Sequence, residues 1–584
     1  MTRETQPPET AALAAAIAAA EPSAARPLSE LVQRLAAAGL LTGSGGESLA
    51  DASTTRVTGV RYDSRRVRRG DLFVAIPGLH SDGHDFLAAA AAAGCTAALV
   101  ERPVLDDQPG DRSAYARLAP AVPAPDLPAP DLPVPDLPVP DLPAPGPRVP
   151  QIVVLSSRAA LAQAAAWWYG DPSLELGVVG VTGTDGKTTT SYLAVAALEA
   201  AGISTGLVGT AETRIGAIRA ANPEHVTTPE APELQAALRA MVASGNRVAV
   251  VETTSHGLAL ERVAAVAYDI AVFTNLSHEH LELHGTFEAY RAAKLRLFRG
   301  LAGPSRKPWP RAGIVNLDDR SAGPFIEATH AAGARLLTYG VHPDATVRAG
   351  HVADEPDRLR VGVEAPGWSG EIALRLAGRF NAQNALAVVA LGIALDLDPE
   401  AVRAGLEGVE GVPGRMERID AGQPFAVIVD YAHSPAALGK VLDELAATAQ
   451  ARGGSCIVVF GSAGERDLAK RPAMGRIAAE RCRVVVVTDE DPRGEDREAI
   501  LDEIAAGAVD GGRNRGADLL VIPDRAEAIA AALQAARPGD VVLLAGKGHE
   551  QTILYADHAL AWDERAEARR ALAAMGYDKG GTRT

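Results

Sequence analysis

Ten consecutive residues, Gly180-Val-Thr-Gly-Thr-Asp-Gly-Lys-Thr-Thr189, put a glycine turn, a lysine and paired hydroxyls directly after an apolar run. Residues 176–181 read as a buried β-strand and residues 191–198 as a helix, and the exposed backbone N–H groups where such a helix begins favour an anion. Lys187 suits the β and γ phosphates of a triphosphate, and the Thr188 hydroxyl suits Mg²⁺. The turn departs from the general phosphate-loop pattern, because the position five before Gly186 is Val181 and the turn glycine is Gly183.

Glu252 closes a second apolar run, residues 247–252, and Thr253-Thr-Ser-His-Gly257 follows it. A carboxylate buried at a strand end is costly without a partner, so Glu252 is expected to complete the magnesium shell that Thr188 begins. The next run, residues 269–274, leads into Asn275-Leu-Ser-His-Glu-His-Leu-Glu-Leu-His284, with three histidines. Neither a cysteine pair nor a His-Glu-x-x-His motif accompanies them, which argues against zinc. One histidine on magnesium, with the others orienting substrate, is the expectation.

These side chains need a scaffold that gathers strand ends. Apolar runs at 247–252, 269–274, 312–316, 426–430, 455–460, 483–488 and 540–545 alternate with helical stretches, and each leaves into polar or glycine residues. That pattern indicates an α/β fold of parallel strands covered on both faces, with ligands beyond the carboxyl ends of the strands. A chain of 584 residues has room for about three domains. Between residues 120 and 150, units such as Pro125-Asp-Leu-Pro128 recur; they predict an extended, solvated insertion without a core. The strand-like segments 97–101 and 151–155 on either side are expected to be neighbours in one sheet.

Composition narrows the function further. The net charge of −16 and pI near 5.4 oppose general binding of nucleic acid or anionic membranes, although a local basic site can still hold a nucleotide. Residues 11–20 read as an alanine-rich helix or frayed tail, since Glu4 and Glu9 precede them without a basic leader. No stretch approaches the roughly 18–20 apolar residues of a membrane span. Cys95, Cys456 and Cys482 are too few and scattered for a disulfide framework or a four-cysteine zinc site, and fit a reducing cytoplasm.

In chain order, the phosphate-binding turn, Glu252-Thr-Thr-Ser-His-Gly257, Asn275-Leu-Ser-His-Glu-His-Leu281, Ala292-Ala-Lys-Leu-Arg-Leu-Phe298, Gly378-Arg-Phe-Asn-Ala-Gln-Asn384, Gly414-Arg-Met-Glu417 and Asp430-Tyr-Ala-His-Ser-Pro435 follow the order found in the Mur ligases. Tyr62-Asp-Ser-Arg65, Gly70-Asp-Leu-Phe-Val-Ala-Ile-Pro77 and Asp82-Gly-His-Asp-Phe86 add an N-terminal signature. Outside the proline-rich insertion, the chain resembles that family over residues 28–575, most closely the members that add the third residue of the peptidoglycan stem peptide.

The resemblance implies an ATP-dependent amide ligase, cytoplasmic and monomeric. ATP would phosphorylate the side-chain carboxylate of D-glutamate in UDP-MurNAc-L-Ala-D-Glu, and the amine of a diamino acid would attack the acyl phosphate. It implies a UDP-binding domain over 1–175 with a disordered insertion at 103–150, a central P-loop-like ATPase domain over 176–411, and a Rossmann-like amino-acid-binding domain over 412–584. Asn384, Arg415 and Asp430 would join Gly183, Thr184, Asp185, Gly186, Lys187, Thr188 and Thr189 around ATP. Glu252, His280 and a carbamylated Lys294 would hold a second metal, although Lys294, beside Arg291 and Arg296, otherwise reads as part of a solvated basic face. Glu279 stands where relatives commonly have aspartate. Ser64 would contact the uridine nucleotide, and Thr227, Thr228, Thr254 and Arg262 the muramoyl dipeptide.

The amino acid would be chosen by Arg466, Glu490, Asp491, Pro492, Arg493, Gly546 and Glu550, the arginines being suited to carboxylates through their two-pronged geometry. Diaminopimelate-adding relatives typically carry Asp-Asn-Pro-Arg, and here the tetrapeptide is Glu490-Asp-Pro-Arg493. A carboxylate in place of the amide removes a donor and adds charge, which should repel a distal carboxylate and welcome the distal ammonium of lysine or ornithine. Retention of Arg493, Gly546 and Glu550 points the other way, and meso-diaminopimelate is the expectation. A folylpolyglutamate synthase-like ligase is the more remote alternative; it shares the ATP domain but is not expected to carry the N-terminal signature. A non-catalytic scaffold would be expected to lose Lys187, Glu252 or Lys294, and all three are present.

Overall fold

The site depends on where three sheets end their strands. A computed structural model describes residues 8–42, 54–78, 81–104, 149–222, 226–277, 281–303, 307–355 and 358–577. The N-terminal sheet is parallel, in the order Gly59–Arg61, Asp71–Val74, Ala97–Val100, Gln151–Val153. Ala98 pairs with Gln151 and Val100 with Val153, so the segments flanking the proline-rich stretch are direct neighbours, as the sequence predicts. Residues 105–148, most of the expected insertion, lie outside the described residues. The alanine-rich stretch forms the helix Pro8–Ala19, whose buried Leu13 packs into the core of the central sheet near helix Ala231–Ala243.

The central sheet has eleven strands, and its middle sets the chemistry. Gly177–Thr182 lies between Val248–Glu252 and Ile270–Phe273, all parallel, with every position buried, as expected of β-branched runs covered on both faces. The register pairs Val181 with Glu252 and Thr182 with Phe273. Thr182, Glu252 and the segment after Phe273 therefore emerge side by side at one edge. Helices Lys187–Ala200 and Asn381–Ala394 pack in the core on one face, and Ala231–Ala243 and Phe287–Arg299 in the core on the other.

Parallel pairing does not extend across the whole sheet. Glu212–Ile215 and Ile218–Ala221 form an antiparallel hairpin at one edge, and Leu359–Ala365 pairs antiparallel with both Val347–Asp354 and Trp368–Leu374 at the other. Trp368–Leu374 keeps Trp368, Ile372 and Leu374 buried with more open positions between them, the pattern of an antiparallel strand with one solvated face. Such strands do not show as apolar runs.

The C-terminal sheet runs Glu417–Ile419, Ala426–Asp430, Val541–Ala545, Cys456–Phe460, Val484–Val487, Leu519–Val521, parallel except for the first pair. Fully buried Arg525 binds Glu564 through two nitrogens and donates to the carbonyls of Asp489 (2.9 Å) and Ala545 (2.7 Å). This charge-assisted clamp ties together the exits of two strands that carry residues 489–493 and 546–550. Cys95, Cys456 and Cys482 are free and buried. Among the described residues no helix is long and apolar enough to cross a membrane.

Candidate active site

The phosphate-binding turn is built by close approach. Gly183 has φ +152°, and a Cβ there would stand 1.8 Å from Thr274 Oγ1; Gly186 has φ +82°, and its Cβ would stand 2.5 Å from Asn384 Oδ1. The turn is locked from the next strand's exit, where Asn275 accepts from the Thr184 N–H (2.8 Å) through its carbonyl and from the Asp185 N–H (3.0 Å) through Oδ1. Thr184 Oγ1 lies 2.9 Å from the Tyr290 hydroxyl. Lys187 opens the helix and donates back to the carbonyls of Gly183 (3.0 Å) and Thr184 (2.7 Å), which holds its ammonium at the rim of the turn. Thr189, two residues on, is buried, and Asn384 Oδ1 lies 3.2 Å from Thr190 Oγ1. Gly183→Ala is expected to disrupt the turn and lower nucleotide affinity by about tenfold or more, since a Cβ at that φ is strained and collides with a buried hydroxyl; isothermal titration with a non-hydrolysable ATP analogue measures it.

Glu252 is fully buried, and its partners are neutral donors. Oε2 accepts from the hydroxyls of Thr188 (2.9 Å) and Thr210 (2.8 Å), and Oε1 accepts from the Thr210 N–H (3.0 Å). Thr210 Oγ1 is also 3.0 Å from Thr227 Oγ1. Thr228 Oγ1 donates to the Glu252 carbonyl (2.8 Å) and lies 3.0 Å from Thr254 Oγ1, while Arg262 donates to the Thr228 carbonyl (2.9 Å) and pairs with Glu230 (2.8 Å). Glu252 thus joins two branches, Thr188, Thr210 and Thr227 through its carboxylate and Thr228, Thr254 and Arg262 through its carbonyl. Ser64 stands elsewhere, in the short turn Ser64–Arg66 on the N-terminal sheet, which Asp63 caps by accepting from the Arg65 N–H (3.0 Å).

Lys294 is not part of a solvated face. It is buried at 1% exposure, with Nζ donating to the Gly183 carbonyl (2.8 Å) and lying 4.6 Å from the centre of the Tyr290 ring. His280 lies outside the described residues, as do His278 and Glu279. Among the described residues no three His, Cys, Asp or Glu side chains form a cluster able to hold a metal.

The C-terminal domain reaches this turn directly. Arg415 Nη2 is 3.4 Å from Thr188 Oγ1, with its guanidinium 4.9 Å from the centre of the Tyr431 ring, and Lys440 pairs with Asp185 at 2.5 Å. Asp430 accepts from the backbone N–H groups of Met416 and Ala432 (both 2.8 Å); burial raises its pKa, opposed by the charge of Arg415. It therefore fixes the backbone beside Arg415, with both oxygens engaged. A cleft opens where the two domains meet, lined by Thr210, Asn222, Tyr431, His549 and Glu550 among others. Burial, then the charge of Arg415, pushes the His549 imidazole down to about 3, so it is neutral.

The residues expected to choose the amino acid fall into two groups. Glu490, Asp491, Pro492, Arg493, Gly546 and Glu550 converge where the Arg525 clamp joins the strands: a Cβ on Gly546 would lie 3.1 Å from Glu490 Oε2, and the Arg493 N–H donates to the Leu554 carbonyl (2.9 Å) from a left-handed φ of +55°. Arg466 is exposed on its own loop. Asp491 does not present a free charge. Its Oδ1 accepts from Lys547 Nζ (2.8 Å) and the Leu554 N–H (3.0 Å), and Lys547, fully buried, also binds Glu550 (2.6 Å). The expectation that Asp491 repels a distal carboxylate therefore loses its basis, because a buried ammonium neutralises it in place.

Comparison with known proteins agrees with this geometry. Residues 56–169 match the family description "Mur ligase family, catalytic domain", residues 181–392 "Mur ligase middle domain", and residues 414–548 "Mur ligase, glutamate ligase domain". A protein of Roseiflexus sp. (strain RS-1) named UDP-N-acetylmuramyl-tripeptide synthetase is 47% identical over 527 residues, covering 89% of this chain and 95% of that one. The chain belongs to the Mur ligase family. A Streptomyces coelicolor relative named UDP-N-acetylmuramoyl-L-alanyl-D-glutamate–2,6-diaminopimelate ligase is 39% identical, covering 94% of this chain and 96% of its own. A solved structure of a ligase with the same name superposes with a TM-score of 0.59 at 28% identity, covering 90% of this chain and 96% of that one. This Mur ligase shares the three-domain α/β architecture of those neighbours.

Four residues of this site carried no sequence signal. Thr210 is a lone threonine after a strand, yet it supplies two of the three donors to Glu252. Tyr290, Lys440 and Lys547 likewise act through contacts 106, 255 and 56 residues away in the chain.

Proposed function

We propose that this Mur ligase uses ATP to join meso-diaminopimelate to UDP-MurNAc-L-Ala-D-Glu, making the third peptide bond of a peptidoglycan stem in the cytoplasm, as a monomer. The observation that carries this reading is the hydrogen-bond network around Glu252, whose carboxylate takes Thr188 and Thr210, the latter joined to Thr227, and whose carbonyl takes Thr228, held in turn by Arg262. It supports the reading in which a triphosphate turn and a carboxylate-substrate site act together. The division of labour is a UDP-binding unit over 1–175 that includes Ser64, an ATPase unit over 176–411, and an amino-acid unit over 412–584.

Lys187 meets the β and γ phosphates from the rim of the turn, while the N–H groups that open the helix at residues 186–189 receive the phosphate oxygens. Arg415, steadied by Asp430 and Tyr431, adds positive charge beside Thr188, and Asn384 shapes the nucleotide side. Phosphoryl transfer gives an acyl phosphate on the D-glutamate side chain; the amine of the incoming amino acid attacks the acyl carbon, phosphate leaves, and the amine gives up a proton. Closure of the domains about the cleft excludes water from the acyl phosphate. A buried carboxylate ringed by hydroxyls suits a hard divalent cation, so Thr188 and Glu252, with His280 and a carbamylated Lys294, are the residues that would hold Mg²⁺. Bound there, the ion would neutralise charge on the transferring phosphoryl group.

Arg493, Glu490, Gly546 and Glu550, with Arg466 for the α-carboxylate and Pro492 shaping the turn, form the amino-acid site. Asp491 supports it through Lys547. A phosphate-release assay with purified protein, ATP, Mg²⁺ and UDP-MurNAc-L-Ala-D-Glu, offering meso-diaminopimelate, lysine and ornithine in turn, tests the reading. Release that depends on diaminopimelate is expected. Turnover with lysine or ornithine alone would overturn the choice of amino acid, and no amino-acid-dependent release with any of the three would overturn the ligase.

A further inference from the structure

Two carboxylates of the amino-acid site share one buried cation. Lys547 is fully buried, with Nζ 2.8 Å from Asp491 Oδ1 and 2.6 Å from Glu550 Oε2, and its own carbonyl accepts from the Glu550 N–H at 2.8 Å. Asp491 is tied to strand Thr552–Leu554 through the Leu554 N–H, whereas Glu550 faces the interdomain cleft and lies 3.3 Å from the Tyr431 hydroxyl. A lysine so placed binds nothing in solvent. Its charge is committed to two anions that would otherwise repel each other in a low-dielectric setting.

We propose that Lys547 is a positioning residue for amino-acid selection: it withdraws Asp491 from contact with the incoming diamino acid and aims Glu550 into the cleft. This rests on the amino-acid ligase reading above. Selectivity at the distal end of the substrate then belongs to Glu550 and Arg493, and the carboxylate at position 491 serves as the internal anchor that keeps Lys547 in place. Asp491 Oδ1 is engaged by Lys547 and the Leu554 N–H, so its charge is directed inward.

Steady-state kinetics with each substrate varied separately, plus a melting curve, test this. Lys547→Met, which removes the cation and leaves two uncompensated carboxylates, is expected to raise KM for the diamino acid by about tenfold or more and to leave KM for ATP within about twofold. Adding Asp491→Asn to Lys547→Met, which removes one of those carboxylates, should recover about threefold or more of the loss. Asp491→Asn alone should change the ratio of kcat/KM for meso-diaminopimelate over lysine by less than about threefold, because the Lys547–Glu550 pair survives. A purely structural lysine would lower the melting temperature and kcat with no selective rise in the diamino-acid KM, and that result overturns the proposal. So does a tenfold shift of the preference ratio in Asp491→Asn, which stays informative even where Lys547→Met does not fold. Wild-type protein lacking any amino-acid-dependent turnover would strike at the ligase reading instead, so the two failures are separable.

Discussion

Lys187→Ala is expected to lower kcat/KM for ATP by about 10²–10³-fold while leaving the fold intact, the scale seen when one preorganised stabiliser of a developing charge is removed. Lys187 Nζ donates to the carbonyls of Gly183 and Thr184 on the same turn. Those carbonyls hold the ammonium at the rim of the turn, where the proposed phosphates would sit. Lys187→Arg is not expected to rescue, since a planar guanidinium cannot occupy a site shaped by two carbonyls three and four residues back. The measurement is phosphate release under saturating co-substrates, with a melting curve as control. Activity within about fivefold of wild type in Lys187→Ala would remove the lysine from the mechanism.

How far the sequence could be read follows from how local each signal is. The phosphate-binding turn is contiguous, and its glycines answer to geometry a few ångströms away, so it was legible in full. Many of the parallel strands were legible because burial on both faces makes them continuous apolar runs; Ala312–Asn316 and Ala426–Asp430 have the predicted bounds, whereas parallel Thr205–Val208, Arg335–Gly340 and Leu519–Val521 were not read. The edge strands Val347–Asp354, Leu359–Ala365 and Trp368–Leu374 were not, because a half-solvated strand carries polar residues at alternate positions and hides among loops.

Charges proved hardest to read one at a time. Lys294 sits between arginines that suggest a wet helix face, but the helix turns its lysine inward beneath the phosphate-binding turn. Asp491 looks like an added negative charge until Lys547, distant in sequence, is found against it. Thr210 gains its place only because its strand, Thr205–Val208, lies beside Val248–Glu252 in the sheet. In each case the deciding partner is a neighbour across the fold, and no pattern within the local sequence names it.

The carboxylate of Glu252 offers the sharpest separation of chemistry from architecture. All three of its partners are donors on Thr188 and Thr210, and two of them are hydroxyls free to reverse direction. In Glu252→Gln the amide oxygen keeps the Thr210 N–H and the new NH₂ group donates to a rotated threonine hydroxyl, so stability should fall by only about 1–2 kcal/mol. What disappears is the negative charge, and with it the means of holding a divalent cation beside Thr188. We expect the Mg²⁺ concentration needed for half-maximal activity to rise by at least about tenfold and kcat to drop by about 10²–10³-fold. If Glu252 served only to anchor the strand end, the variant would instead melt much earlier yet retain turnover per folded molecule at an unchanged Mg²⁺ demand. Magnesium titrations of phosphate release, read beside thermal melts of the same preparation, distinguish the two outcomes.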